Sequence, residues 1–536
     1  MKKRRIGLLF ILVTLMGSLA TPAQGRAAAP NPPPGPDRFT VITVNYTAFT
    51  WWMATWRGSE VVCSVVVDHE DAPTPDEIYR DCGGVIYDDW LAQDPCIKKK
   101  PSTCDGYYIY PVSSEVIEKE IPTHLPEASA WLTLEDCVPV VSLSTNICEA
   151  IPKLVITGQE PLPNETIIGV EGTLDGEPFY CEEAVCKLPL QPTDEDGAAL
   201  ELWAWSSYGD SSPVFTGQVR VVQADEGDPD QLYWYVDVLS SQWQGEPLAT
   251  CAESWQSFPP VGGPPEWLST PLQSEELSSD IPYTYLAANL ILQGAVDARA
   301  CVDGGLIPGG GVNTCGLEAS RPVVVEWQNR FDSLIFNTSQ ASGVPARLLK
   351  NLFARESQFW PGIFRATGDV GLGQLTENGA DTTMIWNPSF FNQFCPLVLP
   401  SEDCGKGYFH LDEDQQLLLR QGLISSVNAT CSDCPLGLDL TQADFSVNVF
   451  AHTLLANCEQ AGRVVRNLTG TAPGDTASYE DLWKFTLVNY NAGPGCLGDA
   501  IEGALGQGRA LTWPDVSSFL PEACAAAIDY VNDISQ

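Results

Sequence analysis

Residues 342–374 read SGVPARLLKNLFARESQFWPGIFRATGDVGLGQ, and this stretch decides the fold of the C-terminal half. Ser342-Gly343 favours a turn, and Pro345 sits where the first turn of a helix tolerates a residue without an N–H. From there Leu349, Leu352, Phe353 and Glu356 recur at i, i+3, i+4 and i+7, which puts all four on one helix face. The fourth member of that apolar face is a carboxylate. Pressed against Leu and Phe, it loses solvation of its charged form, so its pKa should rise toward the range a general acid needs. The helix is expected to break at Phe359-Trp360-Pro361-Gly362. The glycine-spaced run from Gly368 then places a polar Gln374 between Leu372 and Leu375.

Farther along, Ser478 with Asp481 three residues later reads as a capped helix start. Trp483, Leu487 and Tyr490 share one face of that helix, and Asn491-Ala492-Gly493-Pro494-Gly495 is expected to end it. Asn448 lies on another predicted helix, whose apolar face is Val447, Ala451, Leu454, Leu455 and Cys458. Glu356-Ser357 with Phe359, then Gly371-Leu372-Gly373-Gln374, then Asn448, then Tyr490-Asn491-Ala492-Gly493 occur in an order and spacing that resembles the lysozyme-like lytic transglycosylases, the soluble lytic transglycosylase (SLT) domain family. The match runs from about residue 343 to residue 497.

That resemblance implies an α-helical lysozyme-like domain acting on peptidoglycan glycan strands at the β-1,4 bond from N-acetylmuramic acid to N-acetylglucosamine. Glu356 matches the family's single acid/base, which protonates the leaving oxygen and then takes the proton of the muramyl 6-hydroxyl to form a 1,6-anhydro end. Ser357 and Gln374 match polar site-lining positions, as does Asn448. Tyr490 matches the tyrosine that orients the carboxylate, and Asn491 is its neighbour. The chemistry requires no metal or organic cofactor. Two positions depart from the family pattern: Gly373 stands where Met is usual, and Asp369 is atypical in its loop.

Other readings of the same residues follow different chemistry. Most glycosidases use two carboxylates, and Asp369, Glu377 or Asp381 as the second would make a lysozyme-type hydrolase. A helix-end Glu356 simply paired with Arg355 or Arg365 would be structural. The competing class is a catalytically inactive wall glycan-binding protein, and the presence of Glu356, which a degenerate domain would more often have lost, is the feature that separates the two. His410 and His452 have no recognisable partners in sequence and read as structural or surface residues.

At 536 residues the chain exceeds one core, and roughly three to four domains are expected from length. Residues 1–29 read as a secretion signal, with basic Lys2-Lys3-Arg4-Arg5 before an apolar stretch, and a soluble protein, secreted or in the cell envelope, follows. A Pro-rich spacer (30–37) leads to a cysteine-containing β-rich domain (38–150), then to short strands over 151–256 that suggest an immunoglobulin-like β-sandwich. Thr74-Pro75-Asp76-Glu77 looks like a helix start, and Trp51, Trp52 and Trp56 read as core, with a sugar-stacking platform as the alternative. A Pro/Gly linker (257–275) precedes the lysozyme-like domain (276–536), within which residues 387–443 form a Cys-, Asp- and Pro-rich insertion, a lid or a surface excursion. The 18 cysteines suit a disulfide framework, with Cys96/Cys104, Cys137/Cys148, Cys181/Cys186, Cys301/Cys315 and Cys395/Cys404 as local pairs. Cys431 and Cys434 are also read as cystine sulfurs, with half of a zinc site as the other possibility. A net charge of −41 argues against a nucleic-acid partner.

Overall fold

The computed structural model describes residues 35–92, 96, 100, 103–137, 139–140, 144–224, 232–244, 250–364 and 368–536. The signal segment, most of the Pro-rich spacer and Arg365 lie outside the described residues. The N-terminal half is built from antiparallel sheets and the C-terminal part from helices.

Strand Phe39–Thr55 pairs with Val61–Val67 on one edge and, along its whole length, with Tyr107–His124 on the other. Helix Pro75–Leu91 covers one face of this sheet and buries Met53, Val65, Val67 and Ile78 against it. Its predicted start is a capping box, in which Thr74 accepts from the Glu77 N–H and the Glu77 carboxylate accepts from the Thr74 N–H. On the other face Trp52, Tyr110, Tyr108 and Trp56 follow one another with ring centroids 6.3, 5.4 and 4.5 Å apart. Tyr108 and Tyr110 stack on each other. Of the three tryptophans expected in the core, Trp51 packs against the helix-covered face, whereas Trp52 is exposed on this one.

The boundary expected at residue 150 falls inside the next unit. Ser129–Glu135 pairs with Lys153–Gln159, which pairs in turn with Val185–Pro189, making a three-stranded sheet. A seven-stranded antiparallel sheet faces it, in the order Pro139–Val140, Ser144–Cys148, Tyr233–Leu239, Phe215–Ala224, Ala198–Ser206, Ile167–Leu174 and Glu177–Cys181. Alternate residues of both sheets, among them Leu132, Ile156, Val170, Leu202, Val221 and Val238, bury one shared core. Arg38 pins the long ribbon to this unit. It is buried and forks onto Glu160 (2.7 and 2.8 Å) and Asp210 (2.7 and 2.8 Å). Burial alone would raise the Glu160 carboxyl, but Arg38, Ser206 and the Leu162 N–H hold it down at about 2.

Residues 257–275 are packed rather than a free linker. Arg220, paired with Asp237, sits 4.6 Å over the Phe258 ring, and Trp267 and Leu268 are buried in the helical core. That core begins still earlier. Cys251 is bonded to Cys458 on helix Leu440–Thr469, and the fully buried Trp255 donates its indole N–H to the Cys458 carbonyl at 3.0 Å. Proline and glycine report an irregular backbone here, not a lack of packing. The 18 cysteines form nine cystines, including the five local pairs and the Cys431–Cys434 bond. Cys63–Cys82, Cys251–Cys458 and Cys496–Cys524 join residues whose sequence spacing gave no hint of pairing.

Helix Ala346–Ser357 runs through the middle of the helical part with Leu348, Leu349, Leu352 and Phe353 fully buried. Helices Asp332–Ser342, Leu440–Thr469 and Ala526–Ile534 pack around it. Within Tyr479–Gly506 the first helical run stops at Gly493, inside the 491–495 stretch expected to end it, and a second run follows. Gly493, at φ 84°, lets the chain kink, and Pro494 restarts the helix beyond it. The insertion at 387–443 packs helix Glu413–Val427 on the outer side of Glu377–Trp386. Among the described residues no helix is long and apolar enough to cross a membrane.

Candidate active site

The helix carrying Glu356 ends one residue after it, and the chain leaves in an unusual way. Gln358 (φ 48°) and Phe359 (φ 63°) are consecutive non-glycine residues in the left-handed region, each costing about 1–3 kcal/mol. Both are held. The Gln358 carbonyl oxygen Oε1 accepts from the Tyr285 N–H at 2.8 Å, and the carbonyl of the fully buried Phe359 accepts from the Trp327 indole at 2.8 Å. The sharp exit brings the following turn, Gly371 to Gln374, back beside the end of the helix. Ser357, 1% exposed, ties the two together through its Oγ to the Leu372 carbonyl at 2.7 Å. Ser357 is thus a positioning residue behind the site and does not line it, contrary to expectation.

Glu356 opens into a cleft of about 600 Å³, within the usual size range of ligand sites. Its walls come from the 369–376 turn, helix Glu377–Trp386, helix Leu440–Thr469 and the kink at Gly493. Burial pushes the Glu356 carboxyl up to about 7, and the nearby charge of Asp369 adds to the rise. Two groups oppose it: the Tyr530 hydroxyl, which donates to Glu356 Oε1, and the charge of Arg355. Arg355 itself pairs with Asp533 at 3.0 Å rather than with Glu356. Tyr530 sits on the terminal helix Ala526–Ile534, whose buried face is Ala527, Tyr530, Val531 and Ile534. In Tyr530→Phe the carboxylate loses a donor while its burial persists, so Glu356 should ionise about one unit higher. Carboxyl NMR titration reads this directly, and an unchanged pKa would remove Tyr530 from the site.

The remaining expected residues divide. Gln374 and Asn491 line the cleft, as does Tyr490. Gln374 donates Nε2 to the Gly371 carbonyl at 2.8 Å, and its Oε1 has no partner among the described residues. Tyr490 does not orient the carboxylate as expected. Its hydroxyl donates to the Gly373 carbonyl at 2.6 Å, fixing the turn, while Tyr530 takes the carboxylate. Asn448 is exposed and away from the cleft. The polar residues that helix Leu440–Thr469 turns to the cleft are Thr453, Asn457 and Gln460, on the other side of the helix at i, i+4 and i+7. Gly373 also has a physical reason: a Cβ there would fall 2.4 Å from the Phe450 ring, which fills the space a side chain would need.

Of the three other carboxylates, Glu377 is exposed and off the cleft lining. Asp381 faces the cleft but is clamped by Arg420 (2.9 Å to each oxygen) and by the Tyr408 hydroxyl, both from the insertion. Asp369 lines the cleft close enough for its charge to act on Glu356. No described residue of the insertion lines the cleft, so it braces one wall rather than covering the opening. His410 is exposed, and His452 is bonded to Asn387 at 3.1 Å, with its pKa lowered by burial. Comparison with protein-family models, with curated proteins and with solved structures found no match to this chain.

Proposed function

We propose that the protein is an extracytoplasmic lytic transglycosylase that cleaves the β-1,4 bond between N-acetylmuramic acid and N-acetylglucosamine in peptidoglycan. On this reading the helical part is a lysozyme-like domain and the facing sheets are an immunoglobulin-like sandwich used as a spacer or binding module. The observation that carries it is the half-buried Glu356 carboxyl, pushed up to about 7 by desolvation, opening into a cleft large enough for a glycan segment. The sequence order of Glu356-Ser357, the Gly371–Gln374 turn and Tyr490-Asn491 supports the same family.

In this mechanism protonated Glu356 gives its proton to the glycosidic oxygen as the C1–O4 bond breaks, with the substrate's own acetamido group assisting at C1. The resulting carboxylate, steadied by the Tyr530 hydroxyl, takes the proton of the muramyl 6-hydroxyl as O6 bonds to C1. Glu356 ends protonated, and no water is consumed. A pKa near the working pH suits a group that must both give and take a proton.

Lysozyme-type hydrolysis is the second reading, favoured by one observation, the presence of Asp369 in the same cleft. Mass spectrometry of muropeptides released from purified peptidoglycan separates the two. Products one water lighter than the reducing form are expected. Reducing ends would overturn the transglycosylase in favour of Asp369 as second carboxylate, and no release from several wall types would leave a glycan-binding protein.

A further inference from the structure

The long ribbon leaves the sheet unit at Arg38 as two strands only, because Val61–Val67 first pairs with it at Phe49. Two strands with both faces in water are marginal by themselves, and three or more are needed for independent stability. On one face of this ribbon Ile42, Val44 and Ile121 are 44%, 39% and 37% exposed. The outer edge of Tyr107–His124 has no neighbouring strand among the described residues. Backbone groups of an antiparallel ladder alternate between the two sides of a strand. The Leu125 N–H donates inward to the Arg38 carbonyl at 3.1 Å, so Glu120, Glu118, Val116 and Ser114 turn their N–H and C=O groups outward. Pro122 shares that phase, and so does Pro111 beyond the bulge at Val112. A residue without an N–H therefore closes each end of the open stretch, which keeps arbitrary strands from extending along it.

What the prolines leave open is residues 113–121, and a second copy of that segment fits them. A two-fold axis through Ile117 sets Val116 opposite Glu118 and Ser114 opposite Glu120, outward groups facing outward groups. On the face that carries Ile42 and Val44 it sets each Glu115 opposite Lys119 of the other copy. Within one chain Glu115 lies opposite Ala48 and Lys119 opposite Val44, so neither charge has a cross-strand counterpart. The register is specific. Of the in-phase pairings centred on any one of residues 115–120, only that on Ile117 opposes unlike charges. The centre at Val116 opposes none, and the other four set like charges against each other. We infer that the protein forms a two-fold dimer by edge pairing of residues 113–121, joining two ribbons into a four-stranded sheet with Ile42, Ile117 and Ile121 of both copies on one face. Neither Glu356 nor the cleft takes part, so the inference stands or falls apart from the glycan reading.

Sedimentation velocity of the full chain in about 0.15 M salt, which screens the net charge of −41 beyond about 8 Å, should show a dimer whose fraction rises with concentration. Lys119→Glu opposes like charges twice and should weaken the dimer about tenfold, as should Glu115→Lys. Mixed in equal amounts, the two variants should associate as tightly as the parent, because unlike charges then meet again, but only between copies. That rescue also reports that both variants are folded. A chain that stays monomeric up to its solubility limit would overturn the inference. So would weakened variants that do not rescue each other. A dimer indifferent to both substitutions would overturn it as well, and would move the contact to another surface such as the open edge of Phe39–Thr55.

Discussion

Glu356→Gln should lower glycan release by about 10³-fold and at the same time make the protein more stable at neutral and alkaline pH. The two effects share one cause. In the folded protein the carboxyl titrates at about 7, against an ordinary 4.5. Between those values the unfolded chain has released a proton that the folded chain retains, so stability falls as pH rises through this window. By pH 8 the burial of Glu356 should have cost up to about 3 kcal/mol, less whatever solvent reaches the half-buried carboxyl. Gln removes the titration along with the proton donor. The gain should therefore be near zero below pH 4.5 and full above pH 7, as read by denaturation midpoints across that range. A folded Gln variant that releases glycan at the parental rate, or that tracks the parental stability curve, would sink the assignment. A stabilising loss of activity is the pattern of a site whose strain and burial serve chemistry, and it fits the two left-handed residues that follow Glu356.

What was legible in the sequence depended on the kind of signal. Glu356 stood out because a carboxylate completed an i, i+3, i+4, i+7 apolar face, and local periodicity alone carries that information. Tyr530 gave the same signal on the terminal helix with Ala527, Val531 and Ile534, yet a buried phenol reads as ordinary core until the helix against which it docks is known. Asn448 and Ser357 show the opposite error. A motif match fixes order along the chain but not rotation about a helix, and Asn448 falls on the far side from Thr453, Asn457 and Gln460. The capping box at Thr74 and the cystines of short spacing were readable because both are local. The pairing of Ser129–Glu135 and Ser144–Cys148 with strands beyond residue 150, and the Cys251–Cys458 bond, were not, because none of these partners is set by local spacing.

Lys350→Met should destabilise the helical part by about 3–5 kcal/mol, the largest stability loss expected of a single change near the site. Lys350 lies on the Glu356 helix and is 6% exposed. Its Nζ donates to Asp332 Oδ1 at 2.6 Å, to Asn329 Oδ1 at 2.9 Å and to the Leu277 carbonyl. Asp332 is also buried, at the start of its helix. Burial pushes the Asp332 carboxyl up and the Lys350 ammonium down, each opposed by the pairing, so desolvation is the larger force on both. Such a pair adds little net stability over an apolar replacement, whereas half of it is costly, because the remaining charge is buried with no counter-ion. The double variant Lys350→Met/Asp332→Leu should therefore recover most of what Lys350→Met loses. Urea denaturation of the single and double variants checks this, and a double variant as unstable as the sum of the two singles would refute the account. The pair also bears on the site. Lys350 Nζ lies 5.8 Å over the ring of Phe359, the strained residue at the exit from the Glu356 helix. Loss of Lys350 should relax that exit and lower activity even where the protein remains folded, and activity regained in the double variant would trace the defect to the unpaired Asp332 rather than to the missing ammonium.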